Sequence, residues 1–331
     1  MKHLTSLTQL SLDTALKRDT FSEALLSMIY SYQHLEKLSL LLKIEGSNFS
    51  VNIPPKELPN LKSLRITFTE DVFTRKEQCI SKMLIPLEAF ELCTNIEVLK
   101  IHNQTSKNVV IDWNSLRPFT KLKKLELTCD KMIGWDVANQ VLPRLESLTL
   151  YVSQGIDGSL ESLPDTIQYL DIDATIELES NKFLRRLPAM TALSTLKFSM
   201  EGVSTSLIFP CSLVQLQISH LSLRKGEQTF SNFLFSLHQL ETLKILDSVI
   251  EDLYGLLKSI LILKHSIRKV YIEKSESANI DSVRNSKSQA KLNIGHPVLK
   301  EYDQARIFLT LSGFAWKQHS LLNQYSCIEF M

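Results

Sequence analysis

Glycine occurs only nine times in 331 residues, and never in a phosphate-cradling arrangement. Neither G-x-x-x-x-G-K-[ST] nor G-x-G-x-x-G is present. That removes the loops through which bare backbone approaches a nucleotide's phosphates. No G-x-S-x-G elbow and no H-E-x-x-H occurs either, so the usual serine-nucleophile and helical zinc signatures are missing. The five cysteines, Cys79, Cys93, Cys129, Cys211 and Cys327, are odd in number and contain no C-x-x-C pair. This argues against a disulfide framework and fits reduced thiols in the cytoplasm or nucleus. Charge of one sign is also lacking: 37 Lys and Arg stand against 36 Asp and Glu. The balance argues against nucleic acid and against an anionic membrane as partner. The most apolar stretch, Leu253–Leu263, is interrupted by Lys258 and is too short to span a bilayer. The N-terminal MKHLTSLTQLSLD has no apolar run of the kind a secretory signal needs. These absences predict a protein that is not an enzyme, holds no cofactor or metal and does not enter a membrane.

What is present is a six-residue pattern, apolar-x-x-apolar-x-apolar, in eleven copies. It reads LTQLSL at Leu7–Leu12, LEKLSL at Leu35–Leu40, LKSLRI at Leu61–Ile66 and IEVLKI at Ile96–Ile101. LKKLEL at Leu122–Leu127, LESLTL at Leu145–Leu150, IQYLDI at Ile167–Ile172 and LSTLKF at Leu193–Phe198 continue it. LVQLQI at Leu213–Ile218, LETLKI at Leu240–Ile245 and IRKVYI at Ile267–Ile272 end it. The middle apolar residues recur at gaps of 28, 26, 35, 26, 23, 22, 26, 20, 27 and 27. A period in the twenties marks one short strand plus a return segment per copy. The alternation at the end of each sextet predicts half-buried strands stacked in parallel, about 4.8 Å apart. The fold class expected is therefore α/β: a solenoid, or horseshoe, of about eleven irregular repeats, with a parallel concave sheet and helical or irregular convex returns.

Several returns read as helices. Phe21–Tyr32 follows Thr20, an N-cap residue type. Thr229–Leu237 places Phe230, Phe233, Leu234 and Leu237 on one helical face, and Asp252–His265 is strongly apolar. In the longest gap a helix is expected around Lys76–Leu84, then a break at Pro86 and a short second helix. Shorter returns such as Gly155–Leu163 have room only for turns or 3₁₀ pieces. The solenoid is expected to fill 1–273. A polar stretch, 274–297, reads as a flexible loop. Apolar and aromatic residues return in 298–331, which reads as a C-terminal cap. Little sequence precedes the first sextet, so the first repeat is expected to be bare and to promote self-association.

The copies resemble leucine-rich repeats, whose fuller consensus is L-x-x-L-x-L-x-x-N/C-x-L. The ninth position departs from it, holding for example Thr69, Gln104, Asp130 and Ser153 in place of Asn. The uneven lengths, and the Pro-x-[Ser/Thr] lead-ins at Pro164–Thr166 and Pro210–Ser212, resemble the divergent repeats of fungal F-box/leucine-rich-repeat proteins. That resemblance implies a substrate-recognition role in an F-box-type ubiquitin ligase, although no F-box is visible in the chain. A GTPase activator built on repeats is the alternative, a class that favours regular copies with the Asn.

Strand geometry nominates the binding face. Positions 3, 5 and 7 of each copy point away from the buried apolar pair. A basic group is expected at Arg65, Lys100, His102 and Lys124. An aromatic and acidic group follows at Tyr151, Tyr169, Asp171 and Asp173. Tyrosines beside mixed charge have the composition of a protein interface, with rigid contact area and orienting charges. The expected partner is a protein held on this concave face.

Overall fold

The end of each sextet becomes a strand because its last two apolar residues, two apart, fall on one side of an extended chain and the polar residues between and after them on the other, while the first apolar residue is buried from the turn that leads in. In the copy at Leu61–Ile66, Leu61, Leu64 and Ile66 are fully buried while Arg65 is exposed. Burial of each such side chain contributes roughly 1.5–3 kcal/mol. The computed structural model describes residues 6–17, 23–45, 55–70, 83–84, 87–105, 109–154, 160–174, 186–199, 208–220, 222–223, 234, 236–250, 266–267, 269–274, 314–318 and 325–330. The chain is α/β, and its described residues are rich in parallel strands with few helices. It divides into two compact units, Met1–Phe183 and Leu184–Met331.

The first unit contains β1 (Gln9–Lys17), β2 (Lys37–Glu45), β3 (Ser63–Glu70), β4 (Met83–Leu84) and β5 (Val98–Gln104). It continues with β6 (Val109–Asp112), β7 (Lys124–Cys129), β8 (Lys131–Ile133), β9 (Ser147–Val152) and β10 (Tyr169–Ala174). Seven of these form a parallel sheet in the order β1-β2-β3-β5-β7-β9-β10. The middle apolar residues stand in register, Leu10 to Leu38 to Leu64 to Leu99 to Leu125 to Leu148 to Leu170.

The register is fixed before each strand begins. The first N–H of a sextet donates to the carbonyl three residues earlier, as Leu61 to Leu58 at 3.1 Å and Leu122 to Phe119 at 3.0 Å. The second residue's carbonyl then accepts two N–H groups from the next copy. Glu36 O takes those of Lys62 and Ser63 at 2.9 and 3.0 Å, and Glu97 O those of Lys123 and Lys124 at 2.9 and 3.0 Å. The Pro-x-[Ser/Thr] lead-ins add side-chain latches. Thr166 donates its hydroxyl to Leu145 O at 2.7 Å, and Ser212 to Leu193 O at 2.7 Å.

A second parallel sheet, β4-β6-β8, lies off the first. It corrects one expectation: Met83 and Leu84, assigned from sequence to the end of a helix, pair as strand with Val109 and Val110. The remainder of that expected helix, 76–82, lies outside the described residues. After Pro86 a 3₁₀ turn spans Leu87–Phe90. Further 3₁₀ turns at Trp113–Leu116 and Trp135–Val137 bury both indoles completely, with ring centroids 4.6 Å apart. Gly134 precedes the second turn at φ 70°, a left-handed conformation. A Cβ there would come within 2.7 Å of Asp112 Oδ1, which caps the first turn by accepting the Asn114 N–H at 2.9 Å.

Helix α1 (Glu23–Tyr30) falls inside the expected 21–32 segment. Its Leu26, Ile29 and Tyr30 face the core, and the Tyr30 hydroxyl donates to Ala89 O at 2.6 Å. A single turn, α2 (Ala138–Val141), is the other α-helical piece of this unit among the described residues. The short return Gly155–Leu163, expected to hold turns or 3₁₀ pieces, carries a 3₁₀ turn at Leu160–Ser162.

The second unit contains β11 (Thr195–Ser199), β12 (Gln215–Ser219), β13 (Ser222–Leu223), β14 (Thr242–Ile250) and β15 (Lys269–Lys274). The strands β11, β12, β14 and β15 run parallel, with β13 also pairing β14. Two further strands, β16 (Phe314–Gln318) and β17 (Tyr325–Phe330), pair with each other antiparallel. The hairpin they form pairs antiparallel to β15 through β17. The strand β15 extends through Lys274, the first residue of the stretch expected to be loop; 275–297 lies outside the described residues. So do 229–233 and 235 of the expected helix at Thr229–Leu237, and all of the one at Asp252–His265.

Candidate interaction face

The side of the first sheet opposite its core carries the nominated residues. Three lateral rows cross the strands. The central one runs Arg65, Lys100, Glu126, Thr149, Asp171 in continuous register from β3 to β10. Beside it, one row holds Thr67, His102, Thr128, Tyr151 and Asp173, and the other Ser63, Val98, Lys124, Ser147 and Tyr169. The strand pleat therefore brings all eight nominated side chains to one face.

Their exposure is unequal. Arg65, Lys124, Asp173 and Tyr151 are exposed, Tyr151 at 40%. Lys100, His102, Tyr169 and Asp171 are half-buried. Between them the floor is low, with Thr67 and Thr149 each only 8% exposed.

The basic group is not a simple cationic patch. Glu126 stands next to Lys100 in the central row, and its Oε2 lies 2.6 Å from Lys100 Nζ. Its Oε1 lies 3.4 Å from His102 Nε2, close enough for electrostatic attraction, although that ring nitrogen makes no hydrogen bond. Burial raises the Glu126 carboxyl, but the Lys100 hydrogen bond and the charges of Lys100, His102 and Lys124 outweigh burial and hold it below its ordinary range. Burial also pushes the His102 imidazole below its ordinary value; Glu126 pulls it up, while Arg65 and Lys100 push it down. Near neutral pH His102 is thus uncharged. The free positive charge of this half narrows to Arg65 and Lys124.

Glu126 is the residue of this face that reading by composition passed over. The signal was available: position 5 of the copy at Leu122–Leu127 falls between Lys100 and Thr149, and parallel register makes lateral neighbours of successive copies.

In the other half, Tyr169 donates its hydroxyl to Asp171 Oδ2 at 3.0 Å, which orients both. Behind the face, Asp130 ties the ends of three strands together. Its carboxylate accepts the Val109 N–H at 2.8 Å, the Asn103 amide at 3.1 Å and the Ser153 hydroxyl at 2.7 Å. Asp130 and Ser153 occupy ninth positions of their copies, so in this stretch the position serves hydrogen bonding without an Asn.

Among the described residues no group of three or more His, Cys, Asp and Glu could hold a metal ion. The thiols of Cys93 and Cys129 are buried, and burial pushes them up to about 11 and about 12. Both are protonated and sheltered, the opposite of an activated nucleophile. No described helix is long and apolar enough to cross a membrane. The chain matches no family model, and no curated protein matches it in sequence.

Proposed function

We propose that the chain is a non-enzymatic protein-interaction module of the leucine-rich-repeat solenoid type, and that a protein partner binds the face running from Arg65 to Asp173. The observation carrying this reading is the lateral register. It assembles cations, carboxylates and two tyrosines from five strands on one face, with Tyr151 exposed over a floor of small hydroxyl side chains. Exposed tyrosine beside oriented charge is what interface cores use for contact area and orientation. The more specific version is a substrate-recognition part of an F-box-type ubiquitin ligase; its support is the divergent-repeat resemblance of the sequence.

Affinity purification with mass spectrometry, comparing the natural chain with Tyr151→Ala/Tyr169→Ala/Asp171→Ala, tests both levels. A partner lost only from the folded triple variant is the expected outcome. Cullin and adaptor subunits among the captured proteins support the ligase version, and their absence beside a small GTPase favours an enzyme regulator. Undiminished capture by the triple variant would refute the choice of face.

A further inference from the structure

We infer that the protein partner presents a short acidic segment, bound across β2, β3, β5 and β7 by Lys37, Arg65, Lys100 and Lys124, an inference resting on the protein-binding reading above. The argument is charge complementarity. One lateral row runs Lys37, Ser63, Val98, Lys124, and the next runs Ser39, Arg65, Lys100, Glu126. Each of the four strands thus gives these rows one cation, the outer two in one row and the inner two in the other. From Lys37 to Lys124 is three strand steps, ~14 Å at about 4.8 Å per step. Lys37, Arg65 and Lys124 are exposed, and among the described residues no ion pair engages them. The acids that lead into these strands are engaged by other lysines: Glu36 lies 3.7 Å from Lys62, and Glu97 3.1 Å from Lys123. Glu126 is the one acidic group among the described side chains of the four strands, and it is held by Lys100.

Glu126 reports what this ground does to a carboxylate. Burial raises its carboxyl, yet Lys100, His102 and Lys124 outweigh burial and hold it below its ordinary range. A partner's carboxylate reaching Lys37, Arg65 or Lys124 meets cations that stand in solvent, so it loses less hydration than Glu126 does. The ground between is low: Ser39 and Ser63 are half-buried, and Thr67 is 8% exposed. Side chains that short let a peptide backbone lie close and exchange hydrogen bonds with the hydroxyls. An extended chain advances about 3.3 Å per residue, so roughly four residues cross the span. That shortness favours an acidic peptide over nucleic acid, which gains its affinity by neutralising many phosphates. Glu126 also limits the site. It occupies Lys100, so the segment meets three free cations and competes for the fourth.

A fluorescent peptide with four Glu in a Gly/Ser background, its Glu-to-Gln counterpart and a single-stranded oligonucleotide test this on the full chain at low salt. The Glu peptide should bind at least about tenfold more tightly than the Gln peptide, and more tightly than the oligonucleotide. Lys37→Glu/Arg65→Glu/Lys124→Glu should abolish that preference. Lys56→Glu/Arg117→Glu/Arg144→Glu, the same charge change at exposed positions off these strands, should leave most of it. Glu126→Gln, which frees Lys100, should tighten the Glu peptide about threefold, a gain that misfolding cannot imitate. Equal binding of the two peptides, tighter binding of the oligonucleotide, equal losses in the two triple reversals, or no gain in Glu126→Gln overturns the inference. The protein-binding reading is separable. A cellular partner lost from the triple alanine variant but retained by Lys37→Glu/Arg65→Glu/Lys124→Glu leaves that reading standing and removes this one. A partner indifferent to both variants removes both.

Discussion

Glu126 and Lys100, on adjacent strands, meet at 2.6 Å in the middle of the exposed face. The pair converts four nominally basic residues into two free cations, a salt bridge and a neutral imidazole. Glu126→Gln should undo this. Lys100 is released, and His102 loses the one neighbour pulling its pKa upward. We predict that the variant elutes from an anionic resin at higher salt than the natural protein, while the His102 imidazole titrates at a still lower pH by NMR. An unchanged His102 titration would show that the carboxylate does not act on the ring.

Acidification should destabilise the first unit in two stages. The folded-state pKa of His102 lies below its ordinary 6.5, so the unfolded chain takes up that proton first. The associated stability is complete above 6.5 and is lost as pH falls through the lower folded value. Glu126 is likewise depressed below its ordinary 4.5, and its contribution is complete above that value and lost beneath it. Both groups act in the same direction. Urea midpoints measured from pH 7.5 downward should therefore fall, and His102→Gln should flatten the upper stage. A midpoint rising between 6.5 and 5.5 would contradict the sign assigned to His102.

Asp130 should matter more than its surface position suggests. Asp130→Ala removes the acceptor of three hydrogen bonds and leaves the Val109 N–H without its carboxylate. The expected loss is about 2–3 kcal/mol, since hydrogen bonds to charged groups are the stronger ones. Asp130→Asn keeps one carbonyl acceptor and should lose less. Equilibrium denaturation orders the two, and equal losses would show that the hydrogen-bonded node contributes little.

Gly134→Ala should be destabilising by about 2 kcal/mol, from left-handed backbone strain together with displacement of the Asp112 cap. The added methyl would stand 2.7 Å from Asp112 Oδ1. Thermal or urea unfolding checks the value, and a neutral effect would mean the capping carboxylate moves aside freely.

Much of this architecture can be read from the sextets because period-2 alternation decides which side of a strand is buried, and a recurring middle leucine decides which residues align across the sheet. Leu38, Leu64 and Leu99 stand in register for that reason. The eight face residues reach one face by the same logic. The second sheet was not legible. Its strands, Met83–Leu84, Val109–Asp112 and Lys131–Ile133, are too short to show a period, and they are held by partners remote in sequence. The close packing of Trp113 against Trp135 is hidden for the same reason. Exposure within the face also escaped prediction. Alternation marks Thr149 as outward-facing, yet neighbouring strands bury it, while Tyr151 two residues on is the exposed one.

The most direct measurement of the central claim is site-specific photo-crosslinking in cells. A benzophenone side chain is placed at Tyr151 on the face, and as control at Gln140, an exposed residue of α2. Binding on the face predicts a discrete protein adduct from position 151, abolished by Tyr169→Ala/Asp171→Ala, and no such adduct from position 140. The same adduct from both positions, or one from 140 alone, would contradict it.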